Sequence, residues 1–191
     1  MREVERKLRV GTAEQAHIVD FCMREGFTAL GETSQTDLYF TPSNRNIYEE
    51  DMALRLRTDR IFGGKEESTI TFKGKGRDDS FHDRTEIETG VEDGNAFAGI
   101  LRSLAFQEVL TVRKKRRSYT KGPATVSLDE VEGLGFFVEV EYVAEDTEAG
   151  KEQAVSVING LIEKMDMESA VNEPKNYLQL LAAKKIAEGR E

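Results

Sequence analysis

The chain lacks most of what builds a redox or disulfide site. Its 191 residues include one cysteine, two histidines, three prolines and no tryptophan. A single cysteine excludes any intrachain disulfide and points to a reducing, cytoplasmic compartment. Cys22 reads as a small buried apolar residue on the first helix. His17 and His82 lie outside every motif described below and read as surface residues, which leaves no Ser-His-Asp or Cys-His constellation. No apolar run approaches the ~18 residues of a membrane span. The N-terminus is charged from Arg2 onward and shows no apolar signal segment. There is no repeat at solenoid periods and no low-complexity stretch. Gly64-Lys65 is followed by Glu66 and has no strand-to-helix frame, so it is not a P-loop.

Charge is what the chain has in abundance. Charged residues make up 33 % and hydrophobic ones 38 %, and 27 basic against 36 acidic residues leave a net charge of −9. An acidic total argues against DNA and against an anionic membrane surface. It leaves room for a polyanionic small ligand, because a local basic cavity can outweigh the global field. The length fits one domain over residues 1–191, with helices from about 147 to 187 packed on it.

The charges alternate with apolar residues at the period of a β-strand. Glu3, Glu5, Lys7 and Arg9 share one face of the first strand, with Val4, Leu8 and Val10 mostly on the other. Arg55 and Arg57 oppose Met52, Leu54 and Leu56. Thr71, Lys73 and Lys75 oppose Ile70 and Phe72; Arg84, Glu86 and Glu88 oppose Ile87; Glu139 and Glu141 oppose Val138 and Val140. In the strand from Val109 to Tyr119 both faces are basic, so alternation does not say which points inward. Further strands run from Phe27 to about Thr41 and over Thr125–Asp129, with turns at Gly63-Gly64, Lys121-Gly122-Pro123 and Gly133-Leu134-Gly135. Helical spacing marks a first helix capped by Thr12 with Gln15, then Asp93–Ala105, about Thr147–Met165, and a last helix starting near Pro174.

About eight antiparallel strands have two faces, and the helices carry apolar stripes that need one of them. The charged face is then either open to water or rolled into a barrel, which would also remove exposed edges. Carboxylates at i and i+2 on three strands suit a divalent cation, and clustered Arg and Lys suit a polyphosphate. On pattern alone both readings stand: a metal–polyphosphate cavity and a solvated charged sheet face.

In order and spacing these segments resemble the CYTH superfamily, the triphosphate tunnel metalloenzymes. The resemblance rests on Glu3-Val4-Glu5-Arg6-Lys7, Ala53–Arg57, Thr71–Gly74, Arg84–Glu88, Lys114–Arg116 with Tyr119, Leu128–Gly135, Glu139–Glu141 and Glu173-Pro174-Lys175-Asn176-Tyr177. The Gly-Leu-Gly turn and the Glu-Pro-x-x-Tyr segment are most similar to the class IV adenylyl cyclase branch. The resemblance implies an α+β fold, a closed antiparallel barrel of about eight strands with flanking helices. It implies that Lys7, Arg55, Arg57, Lys73, Arg84, Lys114, Arg116 and Lys175 bind substrate, with Lys7, Arg116 and Glu139 catalytic. Glu3, Glu5, Glu86, Glu88, Asp129, Glu139 and Glu141 would hold Mg²⁺ or Mn²⁺. Lys114 and Arg116 would face inward, and Lys115 and Arg117 outward. The implied activity is an adenylyl cyclase making cyclic AMP and pyrophosphate from ATP. A triphosphatase acting on inorganic or thiamine triphosphate, and a non-catalytic nucleotide or polyphosphate binder, are the alternatives. A homodimer is compatible with any of these.

Overall fold

The computed structural model describes residues 2–61, 64, 66–75 and 85–189. In chain order the elements are β1 (Arg2–Val10), α1 (Thr12–Arg24), β2 (Thr28–Pro42), β3 (Ala53–Ile61), β4 (Glu66–Lys73), β5 (Glu86–Val91), α2 (Gly94–Ser103), β6 (Phe106–Lys121), β7 (Ala124–Val131), β8 (Gly135–Ala144), α3 (Glu148–Lys164) and α4 (Tyr177–Ala187). The strands form one sheet in the order β1-β8-β7-β6-β2-β3-β4-β5, and every neighbouring pair is antiparallel. The fold is α+β, as expected.

A fully closed barrel is not shown among the described residues. β1 and β5 are the two ends of the strand order, and no ladder joins them among the described residues. The sheet curls into a half-barrel, so that Glu3 and Glu5 on β1 share one cavity with Glu86 and Glu88 on β5. Part of the reason is at the edge of β1. The Arg9 N–H donates to the Val171 carbonyl at 3.0 Å and the Glu173 N–H to the Lys7 carbonyl at 2.8 Å, while Leu8 bridges Asn172. A short strap therefore satisfies the groups that a closing strand would need.

Turn chemistry follows the glycines only where the backbone demands them. Gly122 and Gly133 have φ of 59° and 78°, a region that side chains with a Cβ avoid. The cap of α1 differs from the expectation by one residue. Gly11 is the N-cap, and the Glu14 carboxylate accepts from the Gly11 N–H at 3.0 Å. The last helix begins at Tyr177 behind an Asn176 cap, with Asn176 accepting from the Gln179 N–H and Gln179 accepting from the Asn176 N–H. Pro174 thus precedes the helix instead of opening it.

Three apolar clusters hold the sheet. On the convex face Val4, Leu8, Val126, Leu128, Val138 and Val140 pack on Ile18, Phe21 and Cys22 of α1 and on Ala154, Ile158 and Ile162 of α3. Truncating a side chain buried as fully as Ile158 to alanine costs about 2–5 kcal/mol. Burial pushes the Cys22 thiol up to about 11, which suits a packing role. Ala98 and Leu101 of α2 cover Phe40 and Leu56. The third cluster, with Tyr39, Val112, Val131 and Phe137, packs on Tyr177 and Leu178 of α4. These sheet residues lie two positions along from Asp37, Lys114, Asp129 and Glu139, hence on the same concave face. α4 thereby seals one end of the half-barrel and leaves the charged residues beside it.

Candidate active site

The concave face holds a cavity of about 340 Å³, the scale of a small-ligand pocket. Among the described residues seven carboxylates line it, from Glu3, Glu5, Asp37, Glu86, Glu88, Glu139 and Glu141, together with six cations, Lys7, Arg55, Arg57, Lys73, Lys114 and Arg116. Asn176 and Tyr177 contribute from the start of α4. Strand alternation places them there: Arg55 and Arg57 two apart on β3, Lys114 and Arg116 two apart on β6, Glu139 and Glu141 two apart on β8.

Cross-strand register decides who meets whom. Asp37 pairs with Arg57 across the β2–β3 ladder, and Arg57 donates to its two oxygens at 2.6 and 2.8 Å. Arg55 lies 3.9 Å from the same carboxylate and 3.8 Å from Glu88. It also donates to the Thr71 hydroxyl at 3.2 Å, which donates on to Glu88 at 2.7 Å. Lys73 is ion-paired with Glu86. On the opposite wall Arg116 pairs with Asp129 at 2.6 Å and with Glu139, and Lys114 reaches Asp129 at 3.0 Å. Lys7 stands 3.9 Å from Glu139.

The carboxyls fall into two electrostatic groups. Burial alone would raise Asp37, Asp129 and Glu139, but neighbouring cations outweigh it. Arg57 holds Asp37 down, Arg116 and Lys114 hold Asp129 down, and Arg116, Lys114 and Lys7 hold Glu139 well below the ordinary carboxylate range. Glu141 goes the other way. Burial, then Glu3 and Glu5, push it up to about 8, and Glu5 sits directly opposite it on β1. Glu3 is raised by burial and by Glu86. Lys114 is lowered to about 8 by burial and by Arg116. The cavity thus has a wall of crowded carboxyls beside a wall of neutralised cations.

The expected site residues sort plainly. Glu3, Glu5, Lys7, Arg55, Arg57, Lys73, Glu86, Glu88, Lys114, Arg116, Glu139 and Glu141 come together around one cavity. Asp129 does not line it; it is 1 % exposed and lies behind the wall, its carboxylate occupied by Lys114, Arg116 and the Tyr177 hydroxyl. Lys175 is exposed on the turn before α4 and also lies outside the lining. Arg84 lies outside the described residues. Lys115 is exposed and Arg117 reaches Gln15 of α1, which puts both on the convex side. Asp37, Tyr39 and Tyr177 line the cavity without having been singled out for it. Asp37 carried a signal, an acid in a strand ahead of a strand bearing two arginines.

The oxygen-only donor set and the mutual repulsion of Glu3, Glu5 and Glu141 suit a hard divalent cation. Among the described residues no three carboxylates converge on one point as they stand.

Comparison with known proteins bears on the family and the fold. The model of the CYTH domain matches residues 1–183. A Methanocaldococcus jannaschii protein named as a candidate adenylate cyclase is 31 % identical over 182 residues, covering 94 % of this chain and 98 % of that one. Adenylate cyclase CyaB of Aeromonas hydrophila is 28 % identical over 151 residues, 79 % of this chain and 74 % of that one. Among solved structures, protein PH1819 of Pyrococcus horikoshii superposes with a TM-score of 0.82 at 32 % identity, covering 95 % of this chain and 99 % of that one. A Hippeastrum protein described as a candidate adenylyl cyclase with dominant triphosphatase activity shares the fold, with a TM-score of 0.68 at 16 % identity, covering all of this chain and 97 % of that one.

Proposed function

The chain belongs to the CYTH family, and from that premise we propose that it is a metal-dependent enzyme acting on triphosphates, converting ATP to cyclic AMP and pyrophosphate. The observation that carries the reading is the charge layout of the concave cavity, with its arginines and lysines on β1, β3, β4 and β6 and its crowded carboxyls on β1 and β8. Arg55, Arg57, Lys73, Lys114, Arg116 and Lys7 would grip the phosphates through charge-assisted bonds. Glu3, Glu5, Glu139 and Glu141 would hold Mg²⁺ or Mn²⁺, with Glu86 and Glu88 in support; Asp129 would act from behind by fixing Arg116 and Lys114. A bound divalent cation supplies charge neutralisation and a more acidic hydroxyl. The chain's own residues hold the β- and γ-phosphates as leaving group and keep the α-phosphorus in line with the ribose 3′-hydroxyl. The hydroxyl would give its proton to solvent water as it bonds to that phosphorus, and pyrophosphate would depart with the electrons of the broken bond. The cyclase-named relatives favour this chemistry.

A second reading is hydrolysis of the terminal phosphate of inorganic or thiamine triphosphate. It draws on one feature: among the described residues, the thirteen charged ones are joined in the cavity lining only by Tyr39, Ala53, Asn176 and Tyr177, and its charges address phosphate more than base. Product analysis separates the two. With ATP and either metal the cyclase yields cyclic AMP and pyrophosphate in equal amounts. Phosphate release from inorganic triphosphate, with no cyclic nucleotide from ATP, would overturn it in favour of hydrolysis. A preference of one order of magnitude between such substrates is only ~1.4 kcal/mol in the barrier.

A further inference from the structure

We infer that Tyr177 is a positioning residue whose ring sets the ammonium groups of Lys7 and Lys114 for triphosphate binding. The inference rests on the triphosphate reading above and adds a role for the Glu-Pro-x-x-Tyr segment, which that reading leaves unused. Both lysines stand over this one ring, Lys7 Nζ at 4.6 Å and Lys114 Nζ at 4.9 Å from its centroid. They come from strands that are not neighbours, β1 and β6, with β8 and β7 between them. Tyr177 is thus a common footing for two walls of the cavity. An ammonium over an aromatic face is attracted by the ring quadrupole, more strongly where water is excluded. Lys7 and Lys114 are 3 % and 6 % exposed and Tyr177 is 5 % exposed.

The ring is itself held on three sides. Its hydroxyl donates to Asp129 Oδ2 at 2.9 Å, the carboxylate that also takes Lys114 and Arg116. Phe137 meets its edge at a centroid distance of 5.0 Å. The chain leading into it is strapped to β1 by the backbone bond from Glu173 to Lys7 and by the ion pair of Arg9 with Glu173 at 2.9 Å. Glu173 then accepts from the Lys175 N–H, and Asn176 caps α4 immediately before the tyrosine. The glutamate anchors the strap, and the tyrosine is delivered to a fixed place one residue into the helix.

Calorimetry with inorganic triphosphate in the absence of divalent cation tests this on the full chain, with melting temperature as the folding control. Tyr177→Leu should weaken triphosphate binding about tenfold, the scale of two partly desolvated cation–π contacts. Tyr177→Phe keeps the ring and should stay within about twofold of the parent. A purely structural tyrosine would lower the melting temperature in both variants and leave the affinity of the folded protein unchanged; that result overturns the role, as does Phe behaving like Leu. The unaltered protein gives an independent readout if Tyr177→Leu does not fold. Two lysines should show ε-methylene protons shifted upfield by the ring and moving on triphosphate titration, and their absence overturns the inference. If the unaltered protein binds no triphosphate either without or with Mg²⁺, the functional reading falls and this one with it. Binding that ignores Tyr177→Leu removes the positioning role alone.

Discussion

Replacing Asp37 by asparagine should weaken the ligand-free protein and enlarge its response to triphosphate. Asp37 is 1 % exposed and accepts two bonds from Arg57, with Arg55 close by. Asparagine keeps the shape and removes the charge. The Arg57 side chain is 14 % exposed, so its charge is left poorly solvated. Removing one partner of a buried pair costs about 3–5 kcal/mol, and the open cavity favours the lower end. At roughly 2–4 °C per kcal/mol for a chain of this size, a loss of about 3 kcal/mol lowers Tm by about 6–12 °C. Inorganic triphosphate supplies the missing negative charge. The parent gains ~2.7 kcal/mol at a hundredfold excess over Kd, and a tenfold tighter variant gains ~1.4 kcal/mol more at the same concentration. pH adds a signature. Burial would raise the Asp37 carboxyl, but the charge and hydrogen bonds of Arg57 outweigh it and hold the group well below its ordinary value of 3.8. A depressed carboxyl contributes stability above its unfolded value and loses it as pH falls through the folded one. The gap between parent and variant should therefore be steady from about pH 5 to 8 and close only in acid. Thermal melts across pH, with and without triphosphate, read all of this. Equal melting temperatures at neutral pH, or a smaller triphosphate shift in the variant, would refute the reasoning.

Arg57→Ala and Lys73→Ala should each weaken triphosphate binding by about 1.5–3 kcal/mol, read by calorimetry, and unchanged affinity would take either residue off the phosphates. Glu139→Ala should lower the metal-dependent rate and recover partly at high Mg²⁺ in steady-state assays; wild-type kinetics would remove it from the metal. Lys115→Ala, on the convex side, should stay within about 0.5 kcal/mol of the parent in stability and leave turnover unchanged, and a large loss of turnover would mean the register of β6 is wrong. Glu141, raised from 4.5 to about 8 by burial and by Glu3 and Glu5, contributes most below its unfolded value and loses that contribution as pH rises through the folded one. The metal-free protein should therefore melt lower at about pH 8.5 than at pH 6. Glu141→Gln should flatten that slope, and an unchanged slope would count against the crowded wall.

The inward faces were legible wherever a strand concentrated its charge on one side. β1, β3, β4, β5 and β8 all present to the cavity the face that alternation assigned to charge. β6 was not legible that way, because Lys114 to Arg117 are basic on both sides; family resemblance singled out Lys114 and Arg116, and they are the pair that lines the cavity. β2 mixes Gln35, Asp37 and Tyr39 with Thr36, Leu38 and Phe40, so Asp37 did not stand out until the register set it against Arg57. Asp129 shows the limit of alternation. A strand face tells which way a side chain points, but its depth behind Lys114 and Arg116 depends on what α4 lays over it. How the free edge of β1 is covered was illegible for a related reason. It turns on the path of residues 171–173 along β1, contacts about 165 residues apart in sequence.

The pairing of the cavity has a consequence for how its two proposed ligands would interact. Lys73 and Arg116, read here as phosphate contacts, are ion-paired with Glu86 and Glu139, read here as metal-side carboxylates. A triphosphate that takes the cations leaves those carboxylates without partners, in a region where burial and then neighbouring carboxylates already raise Glu3 and Glu141. A divalent cation that takes the carboxylates leaves the lysine and arginine without theirs. Either event alone exchanges one neutralised pair for one unpaired buried charge, which is costly in a partly desolvated cavity. Both together exchange each pair for two new ones. Metal and triphosphate should thus favour each other's binding, and by linkage the advantage is the same whichever arrives first. The ion pairs that join the strands in the half-barrel would then also be what couples the two proposed ligands.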